Sequence, residues 1–360
     1  MTRSLSVYLD VVRFMAAAAV FLAHLLSTPF TEGSAAWYLG QFGDAAVAIF
    51  FVLSGYVIAH VVATRERDWR SYAASRFSRL YSVALIAVVV TLVLDGLGAM
   101  LAPDFYASKR VLLKPPSWSG YVPSMLMINE WHAFNFGGIS PGSNGPWWSL
   151  SFEATYYLLA GFILFAPTFV SAPIAIVVLV LAGTTITLLM PLWWGGFALY
   201  MLGRRWRKNL GLGLFLLGIG GAMLAIYPFV VWRLPQLPIP LEFGRGNYQR
   251  PLLNDYFAAA AFGIHLVGAQ MALACVEKIP SAFERFARWI GRLTFPLYLL
   301  HYPMLCFIAA LLPLDKAGAT YVLAVTLIVF GAVALLTPYC EKLKDSLRSL
   351  AKTNGLTARV

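Results

Sequence analysis

The segment from Leu9 to His24 combines the composition of a membrane-spanning helix with three ionisable side chains, Asp10, Arg13 and His24. At 100° per residue, Arg13 and His24 return to nearly the same helix face about 16 Å apart, with Asp10 one turn before Arg13. Charged groups in hydrocarbon are costly unless they are paired or face a cavity, so this stripe indicates a functional lining that faces the protein interior. The alternative is an interfacial salt pair between Asp10 and Arg13, with His24 as a packing residue.

A carboxylate and two hydroxyls mark a later apolar segment. Glu153 lies one helical turn after Ser149 and one turn before Tyr157, so the three polar groups share one helix face. A carboxylate there could orient a base, bind an acceptor hydroxyl or pair with a buried cation. Trp147 and Trp148, just before this stripe, are typical either of the aromatic belt at a membrane edge or of a platform that stacks on sugars.

His301 precedes Pro303 by two residues in a late apolar segment. Proline removes a backbone hydrogen bond and can open the helix around it, so His301 is a candidate second base or substrate contact as well as a candidate packing residue. Histidine suits proton transfer because its unperturbed pKa is close to neutral. His265 fits no such pattern, and we interpret it as a packing histidine.

The composition of the chain places these residues in a membrane protein. Of 360 residues, 60% are hydrophobic and 12% are charged, whereas soluble domains have about 25% charged residues. Long continuous apolar runs indicate a helical bundle, because the strands of a barrel would alternate. The net charge of +11 comes from Lys and Arg clustered in a few short segments, as expected of cytoplasmic loops, so we expect no nucleic-acid partner. The three cysteines lack metal-ligand spacing and are expected to pack within helices.

The apolar pattern predicts about ten transmembrane helices with both termini in the cytoplasm. The predicted spans are about 7–29, 44–63, 80–101, one opening at 145, 173–190, 192–202, 210–231, 256–275, 294–312 and 319–339. The stretch 121–131 is too short to cross and is interpreted as a re-entrant or interfacial helix. The basic segments 65–79, 203–208 and 278–292 then all fall on the cytoplasmic side. Residues 1–340 form the membrane domain, and 341–360 a basic cytoplasmic tail.

Five strings occur in a fixed order along the chain. They are Leu9-Asp10 with Arg13 and His24, the string from Phe50 to Ile58, Arg76 with Arg79, the string from Trp148 to Tyr157, and the string from Tyr298 to Pro303. Together they resemble the acyltransferase-3 family of membrane acyltransferases over nearly the whole chain. Phe14 stands where that family often has glycine, which concerns local packing rather than chemistry. The sequence contains no C-terminal hydrolase-like domain of the kind some members carry, so the resemblance implies the stand-alone form.

The resemblance implies an enzyme of the bacterial inner membrane that transfers an acyl group, acetyl by expectation, from cytoplasmic acyl-CoA to a hydroxyl of a cell-surface carbohydrate or glycolipid. Acyl-CoA is then the co-substrate, and no metal is expected. We expect His24 to act as base or as acyl relay, with Arg13 and Glu153 as the other catalytic residues. The expected donor and substrate contacts are Asp10, Arg76, Arg79, Trp148, Ser149, Tyr157 and His301.

Other interpretations of the same residues remain open. Arg13 lies about three turns from His24, too far to orient it directly, and is expected to hold the donor or to pair with Asp10. Arg76 and Arg79 could bind a donor phosphate at the start of the third span or could serve only as positive-inside anchors. The chain could instead be a transporter or flippase, with Arg13, Glu153 and His301 along a permeation path. A structural assembly subunit is the third class.

Overall fold

The regular structure of the chain is helical throughout the part that is described. A computed structural model describes residues 1–27, 30–31, 37–108, 118–134, 139–235 and 251–353. Its α-helices are α1 (Arg3–Leu25), α2 (Trp37–Gly40), α3 (Gly43–Thr64), α4 (Trp69–Leu101), α5 (Pro103–Ser108), α6 (Trp118–Met125), α7 (Trp148–Phe165), α8 (Thr168–Ala182), α9 (Thr184–Gly203), α10 (Leu210–Ala225), α11 (Tyr227–Val230), α12 (Leu252–Leu273), α13 (Ser281–Leu311) and α14 (Ala319–Thr353).

Eight of these helices are long and apolar enough to cross a membrane, namely α1, α3, α4, α7, α9, α12, α13 and α14. The pair α10 and α11 passes the same test as one span bent by 50°, and α8 is a shorter apolar helix. Each of the ten predicted spans therefore corresponds to a helix or a bent helix pair, and the polytopic helical bundle is confirmed. Helix α6 has eight residues, or about 12 Å, and is too short to cross.

The predicted boundary between the fifth and sixth spans, at residues 190–192, is wrong. The break lies at Gly183, whose φ of +92° is in the left-handed region that favours glycine and ends α8. Pro191 lies inside α9 instead. Transmembrane helices tolerate proline because neighbouring groups satisfy the freed carbonyl, so a proline alone is a weak stop signal in a membrane protein.

Three helices extend well beyond their predicted spans. Helices α4, α13 and α14 have 33, 31 and 35 residues, or about 46 to 52 Å, against about 30 Å of hydrocarbon. Asp68 caps α4 by accepting hydrogen bonds from the amides of Arg70 and Ser71 at 3.0 and 2.9 Å. The basic segments predicted as loops before α4 and α13 are therefore largely helical. Helix α14 runs through residue 341, and of the predicted tail only 354–360 lie outside the described residues.

The basic segments meet at one end of the bundle, which we call the basic end: α1, α4 and α13 begin there, and α3, α9 and α14 end there. Arg3 pairs with Glu284 near the start of α13, and Arg348 of α14 donates to Ser75 of α4 at 3.3 Å. The end of α9 is bound to α12 at this end of the bundle, because the Gly203 carbonyl accepts a hydrogen bond from Gln270 at 2.7 Å. This arrangement is the one that the positive-inside rule requires of a cytoplasmic face.

Helices α3 and α9 approach so closely that only glycine fits at two positions. A Cβ at Gly55 of α3 would overlap the Trp193 carbonyl, and a Cβ at Gly196 of α9 would overlap the Val52 carbonyl. Small residues at such a crossing let two backbones touch within a membrane. Gly55 belongs to the string from Phe50 to Ile58, where the sequence suggested a close helix approach, and Gly196 is its partner.

Replacing Gly196 by alanine is expected to lower the free energy of unfolding by about 3 kcal/mol, because two helix backbones would have to separate. The neighbouring Gly195 provides a matched control, since a Cβ there meets nothing within 4 Å. Gly195→Ala is expected to be neutral or to stabilise by up to about 1 kcal/mol. Both changes in stability are measured by thermal unfolding in detergent, with labelling of the buried Cys306 by a thiol-reactive dye as the signal. Equal midpoints for the two variants would contradict the close crossing.

Candidate active site

Two histidines from opposite ends of the chain form a pair inside the bundle. The Nδ1 atom of His24 on α1 lies 2.9 Å from Nε2 of His301 on α13, and the two rings stack with centroids 5.1 Å apart. His301 is fully buried, whereas His24 is only partly buried. The ring of Tyr302 stands edge-on to His24 at 5.0 Å. The structure thus joins the motif histidine of the first helix to the histidine of the late helix.

The hydrogen-bond network determines which nitrogens carry protons. His301 Nδ1 lies 2.9 Å from the Leu297 carbonyl oxygen, which can only accept, so Nδ1 carries the hydrogen. In neutral His301 the Nε2 atom is then an acceptor, and His24 Nδ1 must donate to it. This leaves the lone pair of His24 Nε2 free, and no described residue forms a hydrogen bond with that atom. A histidine oriented in this way can take a proton from a hydroxyl.

Helix α13 is held around His301 by Asn144, a residue that the sequence analysis did not single out. Pro303 has no N–H, so the Leu299 carbonyl loses its normal helical partner. The amide nitrogen Nδ2 of Asn144 donates to that carbonyl at 2.9 Å and reaches Thr91 at 3.3 Å. Asn144 is fully buried. Two features of the sequence could have pointed to this contact. Asn144 is a polar residue just before the Trp148 string, and Pro303 after His301 leaves a helix carbonyl without its donor.

Asp10 and Arg13 do not pair with each other, although the sequence left that possibility open. The Asp10 carboxylate accepts from Arg288 of α13 at 2.6 Å. Arg13 forms no ion pair with any residue in the described ranges. It interacts electrostatically with Arg79 and with the carboxylates of Asp10 and Glu153, which lie around it. Arg13 is therefore a cation within the membrane-spanning bundle that has acidic neighbours but no direct ion pair among the described residues.

Glu153 lies with Arg13 and Arg79 rather than in the histidine pair. Its carboxylate accepts hydrogen bonds from Ser54 at 3.1 Å and from Tyr157. Ser54 also receives the indole N–H of Trp193 at 3.1 Å, so α3, α7 and α9 all fix this carboxylate. The third polar group of the predicted face, the Ser149 hydroxyl, points elsewhere and donates to the Pro146 carbonyl. The partner that the sequence did not identify is Ser54.

Arg76 and Arg79 have different surroundings. Arg76 forms an ion pair with Glu66 at 2.7 Å, and both side chains are 9% exposed. Its guanidinium also lies over the rings of Tyr72 and Tyr157. Arg79 has no acidic partner in an ion pair among the described residues. Of the two motif arginines, Arg76 is held in an ion pair, whereas Arg79 has only the longer-range attraction of Glu153.

A cavity of about 1330 Å³ opens at the basic end and contains this charged cluster. Five acidic side chains line it, together with ten basic ones, which are Arg3, Arg13, Arg65, Arg76, Arg79, Arg285, Arg288, Arg292, Lys344 and Arg348. The excess of positive charge favours an anionic occupant. Asp10, Ser149 and Glu153 also line it, whereas neither histidine of the pair does.

The inner end of the cavity lies close to the histidine pair. Phe50 and Tyr298 both line the cavity, and their rings meet at 5.6 Å. The Tyr298 ring also lies 6.3 Å from the ring of His301. These two aromatic side chains therefore stand between the cationic cavity and the histidines. A ligand that extends from Arg13 and Arg79 towards His24 would have to pass them.

The remaining candidates have packing roles in this structure. Trp147 is fully buried and donates to the Ser124 carbonyl at 2.9 Å, so it is neither a belt residue nor an exposed platform. Trp148 is partly buried and packs edge-on against Phe152 at 5.2 Å. His265 bonds to the Leu217 carbonyl at 2.9 Å, which agrees with a packing histidine.

Two comparisons with known proteins find similarity to acyltransferases. A family model described as an acyltransferase domain matches residues 6–337. Over 155 residues the chain is 31% identical to acyltransferase MdmB from Streptomyces mycarofaciens. That alignment covers 41% of this chain and 36% of the relative, so the chain matches about a third of that protein's length. No solved structure matches significantly.

Proposed function

We propose that this chain, which belongs to the acyltransferase-3 family because that family's model covers residues 6–337, is a membrane acyltransferase with the following donor, acceptor and location. The donor is acyl-CoA, with acetyl as the acyl group, and it enters from the cytoplasm. The acceptor is a hydroxyl of a carbohydrate or glycolipid destined for the cell surface. The location is the bacterial inner membrane.

The observation that carries this proposal is a histidine with a free Nε2 just beyond a cationic cavity that opens at the basic end. A thioester donor with a phosphorylated nucleotide carries its negative charge at one end and its reactive group at the other. The cavity offers cations from its mouth to Arg13, and its apolar inner end stops next to His301. The donor would therefore enter with the thioester leading.

The depths of Arg13 and His24 in the bundle support delivery across the membrane. Arg13 is ten residues, or about 15 Å, from Arg3 at the basic end, and His24 is about 16 Å further along α1. His24 thus lies near the far side of a hydrocarbon layer of about 30 Å. We place the acceptor on that side, where it approaches the partly buried His24 while the nucleoside of the donor stays at the basic end.

The proposed reaction is direct transfer. The acceptor oxygen attacks the thioester carbonyl carbon while His24 Nε2 removes the hydroxyl proton. The C–S bond then breaks, and the leaving thiolate takes that proton back from His24. The His301 Nε2 lone pair stabilises the His24 imidazolium between these steps, because it accepts the hydrogen bond from His24 Nδ1. Arg13 and Arg79 hold the anionic part of the donor below the thioester.

The two motif arginines should respond differently to substitution by glutamine. Arg79→Gln is expected to raise the KM for acetyl-CoA about tenfold, because an unpaired guanidinium that binds the donor is lost. Arg76→Gln is expected to cost about 3 kcal/mol of stability, because it leaves Glu66 buried and unpaired. The double variant Glu66→Gln with Arg76→Gln should recover most of that stability. Initial rates of thiol release and unfolding midpoints distinguish the two effects, and matching profiles for the single variants would contradict this assignment.

The function is tested in inside-out membrane vesicles supplied externally with acetyl-CoA labelled in the acetyl group. Free CoA thiol should appear, and label should enter extractable glycan or glycolipid. Right-side-out vesicles, in which the basic end is enclosed, should show neither unless they are made permeable. A transporter or flippase would release no thiol in either orientation. Label that accumulates on the protein itself would indicate an acyl-enzyme relay in place of direct transfer.

A further inference from the structure

The basic ends of α4, α13 and α14 enclose the mouth of the cavity outside the hydrocarbon. These three long helices pack against one another and project past the length needed to cross a bilayer. Among their cavity-lining residues there, with Arg65 from the turn before α4, are Ser75, Arg285, Lys344 and Arg348, and the acidic Glu284 and Glu341 lie beside them. We call the five residues Arg65, Ser75, Arg285, Lys344 and Arg348 the vestibule. One of its walls is the part of α14 that the sequence suggested was a separate tail.

The vestibule carries positive charge that the described part of the chain does not neutralise. Arg3, Arg76, Arg288 and Lys344 each have an acidic partner. Six of the ten cavity cations form no ion pair with a described residue, and these are Arg13, Arg65, Arg79, Arg285, Arg292 and Arg348. Arg13, Arg79 and Arg292 lie about three turns in from the basic end, and Arg65, Arg285 and Arg348 belong to the vestibule. Arg292 is about 10 Å further into the bundle along α13 than Arg285.

We propose that the vestibule is a second phosphate-binding site, distinct from Arg13 and Arg79, which holds the phosphorylated nucleotide half of the acyl donor. This inference rests on the acyl-CoA donor proposed above. The 3′-phosphorylated nucleoside is too polar to enter the bundle, so it stays at the mouth, while the diphosphate that joins it to the uncharged acyl arm reaches inward to Arg79 and Arg13. Helix α14 is then part of the donor site.

The geometry of Arg348 supports a built site. Its Nη2 atom donates to Ser75 Oγ at 3.3 Å, and the same oxygen accepts from Arg76 Nη2 at 3.0 Å. Arg76 is in turn fixed by the buried Glu66. Arg348 is therefore held at the cavity wall by one hydrogen bond to a neutral hydroxyl, which leaves its positive charge available for an anionic ligand. A guanidinium of this kind can bind a phosphate through two parallel hydrogen bonds.

Anionic lipid headgroups share this phosphate chemistry, but the side-chain directions favour the nucleotide. Along the first turns of α13, the exposed aromatic residues Phe286 and Trp289 do not line the cavity, whereas Arg285 and Arg292 do. Aromatic side chains at a helix end anchor it in the membrane interface. The aromatic face of α13 therefore meets lipid, and its basic face meets the cavity.

The test measures binding of adenosine 3′,5′-bisphosphate to the purified full chain in nanodiscs of phosphatidylcholine, by calorimetry. The double variant Arg285→Gln with Arg348→Gln is compared with Arg205→Gln with Arg207→Gln, which removes the same charge from exposed residues at the basic end outside the cavity. The vestibule variant is expected to bind about tenfold more weakly and with a shallower salt dependence, and the control to bind like wild type. Equal affinities for all three proteins would overturn the proposal.

Two further measurements separate the possible failures. Acetyl-pantetheine lacks every phosphate, so thiol release from it should be equal in wild type and the vestibule variant; a matching loss there would overturn the proposal by showing a structural defect. Nanodiscs with phosphatidylglycerol test the lipid source, and loss of lipid binding with unchanged nucleotide binding would also overturn it. If wild type binds the bisphosphate through the vestibule but releases no thiol from any thioester, the proposed donor reaction fails and the vestibule stands.

Discussion

Replacing His24 by alanine is expected to lower acyl transfer about a thousandfold, the range of effect associated with removing a positioned general base. The free Nε2 of His24 is the group proposed to remove the hydroxyl proton. His301 is fully buried and lies on the opposite, Nδ1 side of the His24 ring, so we expect it not to reach that hydroxyl when His24 is removed. Label transfer from acetyl-CoA to glycan in inside-out vesicles, with thiol release measured in parallel at matched expression, gives the size of the loss.

The donor site provides the internal control for this prediction. Because neither His24 nor His301 lines the cationic cavity, His24→Ala should bind acetyl-CoA as wild type does, so that kcat falls and the donor affinity is unchanged. His265→Ala is the matched histidine variant, since that side chain bonds to the Leu217 carbonyl. It should retain nearly full transfer. Substantial transfer by His24→Ala, or an equal loss in His265→Ala, would contradict the role of His24.

Much of the helical framework could be predicted from the sequence because membrane insertion imposes simple rules on composition. Apolar runs gave ten segments, and the charge rule gave a single basic end. Helix ends were harder, since basic residues are good helix formers. The segments before Arg79 and Arg292 look like loops in a hydropathy profile, but in the structure they are the first turns of α4 and α13.

The candidate site was harder to predict than the framework because it depends on contacts between distant parts of the chain. Helical periodicity placed Asp10, Arg13 and His24 on one stripe, but periodicity says nothing about what each one faces. Asp10 forms its ion pair with Arg288, which is 278 residues away, so Arg13 has no direct ion pair with it. The stripe therefore serves two sites, a cationic cavity at one depth and a histidine pair at another.

The interaction between the two histidines leads to a second large expected effect. His301→Ala should lower kcat about a hundredfold and leave the KM for acetyl-CoA nearly unchanged. His24 would lose the acceptor for its Nδ1 hydrogen, and with it the preference for the tautomer whose Nε2 is free. The stacked ring that stabilises the imidazolium would also be lost. Steady-state kinetics of thiol release at varied acetyl-CoA concentration separate the two parameters.

A double-mutant comparison decides whether His301 acts through His24. If it is a positioning residue, removing both side chains should cost no more than removing His24 alone, because the effects of residues that act as a unit are not additive. His301→Gln should recover part of the rate, since an amide oxygen can accept from His24 Nδ1 while its nitrogen donates to the Leu297 carbonyl, as His301 does. Additive losses in the double variant would instead mean that His301 touches a substrate directly, and the pair would then be two catalytic groups rather than one oriented base.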